Sequence, residues 1–241
     1  MRTKINTSKI YRKWAPLILG FILLLMFTGC DLLGGDDDDS SAPNQTGGDW
    51  LIPQDEIFDG GPGPDGIPSI DNPEFSPVSQ SDYIIENRLV VGIKIDDEIR
   101  AYPHQILDWH EIVNDNIGDE AIALTYCPLT GTAIGWDRRV QGEVTEFGVS
   151  GLLFRNNLVA FDRNGGDRWS QMQMRSVAGE IAGQTIRTVK IIETTWATWK
   201  ELYPNSEVLT ENTGFDRPYQ GFQPYGQDYL VNHDRILFPV K

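Results

Sequence analysis

From residue 89 onward the chain is a succession of short apolar runs broken by turn-forming residues, a pattern of strands rather than of long helices. Residues 89–95, Leu-Val-Val-Gly-Ile-Lys-Ile, face residues 99–102, Ile-Arg-Ala-Tyr, across Asp96, Asp97 and Glu98, which predicts a hairpin. Pro103 suits a first helical position, where its missing N–H costs nothing, and predicts a short helix through Ile106, Leu107 and Trp109. Residues 110–113 and 121–126 predict two strands joined by a polar turn from Asn114 to Asp119. Further strands are expected at 132–136, 144–149, 158–161 and 185–192. A second helix is expected where Thr194 or Thr195 can cap it, where Trp196, Trp199 and Tyr203 recur at helical spacing, and where Pro204 stops it. That aromatic stripe reads as core packing. The fold class this predicts is α+β: one domain on a mostly antiparallel β-sheet with a few short helices.

The N-terminus has a different pattern. Five basic residues and no acid precede the apolar run 15–27, which is followed by Thr28, Gly29 and Cys30. A basic flank, a short apolar core and small residues before a cut site make a secretory signal over residues 1–29. The run falls short of the roughly 20 apolar residues a spanning helix needs. Phe27-Thr28-Gly29-Cys30 resembles the bacterial lipobox, so Cys30 is expected to carry lipid and hold the protein on a membrane of the cell envelope, facing away from the cytoplasm. Whether that membrane is the inner or the outer one stays open. Residues 30–66 hold no Lys or Arg up to Asp65 and are rich in Asp, Gly and Pro, which predicts a flexible acidic tether before a domain at 67–241. The chain ends on Leu237-Phe238-Pro239-Val240-Lys241, read either as a last strand or as a cut end.

The formal net charge is -15 with the basic leader included. An acidic body disfavours nucleic acid and direct docking on anionic lipid. If lipid occupies Cys30, Cys127 is the one remaining thiol. It follows the apolar residues 121–126 and opens the turn Cys127-Pro128-Leu129-Thr130-Gly131, where a strand end can present a side chain to a ligand. His110, in Trp109-His110-Glu111-Ile112-Val113-Asn114-Asp115, is the expected partner: a thiolate and an imidazole suit a soft transition-metal ion, or a nucleophile with its base. Glu111 is the carboxylate that would orient such a pair. Asn114, Ser150, Asn157, Trp169 and Gln171 are candidate ligand-binding residues at strand ends. No Cys/His cluster has zinc-ligand spacing, and no dinucleotide fingerprint appears.

Taken in order, several of these segments resemble the DUF3179 family, a group of exported or membrane-associated prokaryotic proteins. The resemblance rests on Ala101-Tyr102-Pro103, Trp109 to Asp115, Thr125-Tyr126-Cys127-Pro128-Leu129 with Gly131, Phe147-Gly148-Val149-Ser150-Gly151-Leu152-Leu153, Asp162-Arg163 and Trp169-Ser170-Gln171. It continues through Trp196, Trp199-Lys200, Tyr203-Pro204 and the Phe238-Pro239-Val240 end, after which relatives tend to continue. Many relatives carry Cys-Pro-Leu-Cys-Gly where this chain has Thr130, which counts here against any role needing two thiols. Three functions are therefore expected in competition. One is binding of a soft metal or small ligand through Cys127 and His110, another a thiol-dependent enzyme, and the third a non-catalytic protein-interaction module.

Overall fold

A computed structural model describes residues 49–220, all within one unit that spans Ala42–Lys241. The expected leader, Cys30 and the apolar C-terminal run lie outside the described residues.

Strands dominate. In chain order they are β1 (Ile57–Asp59), β2 (Phe75–Pro77), β3 (Leu89–Ile95) and β4 (Glu98–Pro103), followed by helix α1 (His104–His110). Next come β5 (Ile112–Ile117), β6 (Glu120–Cys127), β7 (Thr132–Asp137), β8 (Arg139–Val140) and β9 (Glu143–Val144). The meander β10 (Phe147–Phe154), β11 (Asn157–Asp162), β12 (Arg168–Ser170) and β13 (Arg175–Ala178) follows. The remainder is β14 (Thr188–Val189), β15 (Ile191–Thr195), α2 (Trp196–Leu202) and β16 (Glu207–Leu209). One sheet has the order β1-β10-β11-β12-β13, a second β14-β7-β6-β5, a third β15-β3-β4-β16-β2, and β8 and β9 pair alone. Among these pairings only β16 with β4 is parallel. The fold is thus β-rich and mostly antiparallel, with two short helices.

The second sheet lies between two cores, and its sequence shows why. Ile122, Leu124 and Tyr126 of β6 join a core with Ile70, Val91, Tyr102 and Ile106. The alternate residues Ala123 and Cys127 join another with Trp136, Phe147, Leu158 and Trp169. Successive strand side chains point to opposite faces, so a strand covered on both sides must be apolar except where a polar group finds a buried partner, as Thr125 does with the Ile134 carbonyl. Residues 121–127 are all buried. Helix α2 packs on the third sheet, where a Cβ at Gly92 would lie 1.9 Å from the Trp199 ring. Only glycine lets that indole reach the sheet. Thr195 caps this helix by accepting from the Thr198 N–H, as expected.

Three boundaries differ from the sequence reading. Pro103 ends β4 and precedes α1 rather than opening it, and His110 is the last residue of the helix. The polar stretch 114–117 is strand, and the turn shrinks to Gly118-Asp119. Tertiary partners override the turn preference there. Asn114 bonds the Phe147 backbone, and the Asp115 carboxylate accepts from Tyr102 and from Arg100 at 2.6–2.8 Å. Third, order begins well before residue 67. Ile52 and Trp50 pack with Phe154, Val159 and Val177, and β1 pairs with β10. These few apolar residues are enough to seat an otherwise polar segment. No helix among the described residues is long and apolar enough to cross a membrane.

Candidate functional site

Cys127 ends β6, is 1 % exposed, and stands opposite Thr132 across the β6–β7 turn. Gly131, with φ +58°, makes that turn possible. The thiol donates weakly to the Asn156 carbonyl at 3.8 Å. Burial pushes the thiol pKa up, and the nearby Glu111 charge adds to the rise. The Thr130 hydroxyl and N–H and the Leu158 N–H pull the other way. Burial prevails, so Cys127 is held as a neutral thiol at neutral pH, a poor nucleophile.

Thr130 ties the turn to a buried amide network. Asn157 Nδ2 donates to Thr130 Oγ1 at 3.0 Å and to Gln171 Oε1 at 2.7 Å. Gln171 Nε2 donates to Thr125 Oγ1 and to the Thr132 carbonyl, each at 3.1 Å. Asn157 and Gln171 therefore fasten the β11–β12 region to the hairpin that carries Cys127. The Asn157 Oδ1 atom is buried and has no hydrogen-bond partner.

Leu129, two residues after Cys127, lines a cavity of about 120 Å³ that Cys127 itself does not line. Leu129, Val149 and Leu158 line it from the strands and the Cys127 turn, and Gly60, Pro62 and Ile67 line it from the N-terminal segment. Glu111 is its only charged lining residue and is 5 % exposed. Glu111 follows the last turn of α1 with φ +57° and ψ -32°, a backbone that costs a non-glycine residue on the order of 1–3 kcal/mol. Two hydrogen bonds fix it: its N–H donates to the Leu107 carbonyl at 2.8 Å, and its carbonyl accepts from the Tyr126 N–H at 2.6 Å. The helix end thus turns Glu111 toward the cavity while β5 starts one residue later.

The structure places His110 elsewhere. It is fully buried, with Nδ1 2.8 Å from the Pro68 carbonyl and Nε2 2.7 Å from the Tyr219 hydroxyl. A carbonyl can only accept, so Nδ1 carries the proton and Tyr219 donates to Nε2. Burial, reinforced by Arg217, lowers the pKa of the ring against the opposing bond to Pro68, and the imidazole stays neutral. Its nitrogens are both committed, and neither partner is Cys127. Among the described residues no group of three or more His, Cys, Asp or Glu could hold a metal ion.

The other candidates are also engaged internally. Asn114 donates to Asp71 Oδ1 at 2.7 Å and to the Phe147 carbonyl at 2.8 Å, and accepts from the Phe147 N–H at 2.9 Å. Ser150 donates to the Val159 carbonyl and accepts from the Leu152 N–H, shaping the bulge in β10. Trp169 is fully buried, stacks edge-on with Phe147, and donates to Asp162 Oδ2 at 2.8 Å. None of these three lines the cavity. The cavity walls supplied by residues 60–67 were not legible, because their Gly and Pro content reads as tether. The lone Ile67 among them was the available signal.

Comparison with curated proteins and with solved structures finds no match for this chain. The sequence does match the family described as "Protein of unknown function (DUF3179)" over residues 64–241, a span that takes in β2 to β16, the Cys127 turn and Glu111. On that match the chain belongs to the DUF3179 family.

Proposed function

We propose that this protein is a lipid-anchored, extracytoplasmic DUF3179 domain that binds a small, mainly apolar ligand in the cavity lined by Glu111 and Leu129. One observation carries the reading: Glu111 is the single charged residue among those lining an otherwise apolar cavity. Ligand sites combine apolar walls with a few placed polar groups that fix orientation. A cavity of this size takes roughly one benzene-sized group, and Glu111 favours a ligand whose polar end is cationic or a hydrogen-bond donor. This supports small-ligand binding over a metal site, since the His110 nitrogens are taken by Pro68 and Tyr219. It also favours binding over nucleophilic catalysis, since burial holds the thiol neutral.

Benzylamine is a suitable probe. At millimolar concentration it should shift the methyl resonances of Leu129, Leu153 and Leu158 and slow alkylation of Cys127 by N-ethylmaleimide. Glu111→Gln should weaken that binding about tenfold, and benzyl alcohol should bind the wild type no better than benzylamine binds the variant. Ile67→Trp should fill the cavity and abolish both effects. Unmoved methyl resonances together with an unchanged alkylation rate would overturn the reading.

The anchor is tested separately. Cys30→Ser should abolish incorporation of labelled fatty acid. Undiminished labelling of that variant would defeat the lipid assignment.

A further inference from the structure

The N-terminal segment that lines the cavity is fastened at both ends. At one end β1 is hydrogen-bonded to β10. At the other, the Ile70 N–H donates to the Ile112 carbonyl and the Ile70 carbonyl accepts from the Asn114 N–H, with Ile70 buried. Between them residues 60–69 arch over β10. Gly60, Pro62 and Ile67 form cavity wall, while Gly61, Pro64, Asp65 and Gly66 are exposed. The arch sits on glycines of β10. A Cβ on Gly151 would come within 2.8 Å of Gly63 N, and one on Gly148 within 2.7 Å of Asp65 Oδ1. The Phe-Gly-Val-Ser-Gly stretch noted in the sequence is thus a flat seat for this arch.

What holds the arch down is mainly polar. Two backbone bonds reach β10, from Gly60 N–H to the Gly151 carbonyl at 2.7 Å and from Asp65 N–H to the Val149 carbonyl at 2.9 Å. Beyond these, His110 pins the Pro68 carbonyl from below at 2.8 Å, and one exposed-side residue gathers Asp65 to that fixed end. Arg163, in the turn after β11, donates to both Asp65 oxygens at 2.7 and 3.0 Å, to Ser69 Oγ at 2.9 Å and to Asp71 Oδ2 at 3.4 Å. A segment with little apolar burial, held by half-exposed ion pairs, opens at far lower cost than the core beneath it.

We propose that residues 60–67 are a strap that opens over the Glu111 cavity, and that Arg163 is its latch. The strap gives a ligand its way in, which rests on the binding function proposed above. Its opening does not depend on that function.

Hydrogen exchange read by mass spectrometry on the full chain in detergent tests it without any ligand. In Arg163→Gln the amides of residues 60–66 should lose about tenfold in protection, while peptides from β6 and β11 keep theirs. Asp65→Asn should have the same effect, and Lys200→Gln, which breaks an exposed pair with Glu86, should have none on this peptide. Raising sodium chloride to about 0.5 M should loosen the strap in the wild type but add nothing in Arg163→Gln. If that variant does not fold, Asp65→Asn and the salt series on the wild type still decide. The latch is overturned if strap protection is unchanged in the variants and in salt, or is lost only together with that of β6 and β11. Benzylamine should slow exchange in the strap. If it does not, while the strap still answers to Arg163, the binding function fails and the latch stands.

Discussion

Replacing Asn114 by leucine should lower stability by about 3–5 kcal/mol, the largest loss we expect from one side chain in this domain. Asn114 lies on β5 of the second sheet, and its amide meets both the N–H and the carbonyl of Phe147 at the start of β10 in the first. Both residues are buried, Asn114 at 1 % and Phe147 at 0 % exposure, so water cannot replace the amide. Leucine leaves two backbone groups unsatisfied at about 1–3 kcal/mol each and takes a donor from Asp71. At roughly 2–4 °C per kcal/mol for a domain of this size, the melting temperature should fall by about 10 °C. Asn114→Asp separates hydrogen bonding from shape. It keeps the acceptor for the Phe147 N–H but sets a carboxylate against Asp71 and the Phe147 carbonyl. That variant should be strongly destabilised at pH 7 and partly recover near pH 4, as the new carboxyl takes up a proton. Thermal unfolding followed by circular dichroism measures both variants. A loss below about 1 kcal/mol for the leucine variant would show that the two sheets do not depend on this amide.

Asp108→Asn should act in the opposite direction and only above a threshold pH. The Asp108 carboxyl, on α1, is pushed up to about 7 by burial, against the pull of Arg88 and a hydrogen bond with Tyr126. The unfolded chain ionises this group near pH 4, while the native state keeps it neutral until about pH 7. Between those values the native state binds more protons, so stability falls as pH rises, by up to about 4 kcal/mol in all. Asparagine removes that penalty, and the variant should exceed the wild type by about 2–4 kcal/mol at pH 8 and match it at pH 4. His104, one turn earlier, has the reverse slope. Burial lowers its pKa to about 4, so its contribution is present above pH 6.5 and is lost as pH falls toward 4. The wild-type profile should therefore be nearly flat between pH 4 and 7, and that of Asp108→Asn should climb. Urea unfolding at several pH values shows the difference. Parallel profiles would mean that Asp108 is ionised in the native state.

Much of the fold could be read from apolar patterning where burial is simple. The β3–β4 hairpin, β6, β7 and α2 with its Thr195 cap all follow from local sequence, because their side chains sort into buried and exposed faces. Patterning failed where a polar residue is buried with a distant partner. Asn114 and Asp115 look like turn formers until Phe147, Arg100 and Tyr102 are brought to them. The candidate site divides along the same line. The presentation of Cys127 at a strand end and the nearness of Glu111 were legible, because β6 and the end of α1 are set by local signals. The expected pairing of His110 with Cys127 was built on residue types alone. It could not foresee that Pro68 and Tyr219 take the two ring nitrogens, since these residues are 42 and 109 positions away.

The early plug of Trp50 and Ile52 has a mechanical consequence. The Leu51 N–H donates to the Val177 carbonyl on β13, and Ile52 packs with Phe154, Val159 and Val177, all before the chain reaches β1. A pull applied to the chain ahead of residue 49 therefore loads the first sheet through this plug and then through β1, with the strap downstream of both. Tension from that side is borne by the body of the domain. The latch at Arg163 is left to respond to ions and ligand, not to force.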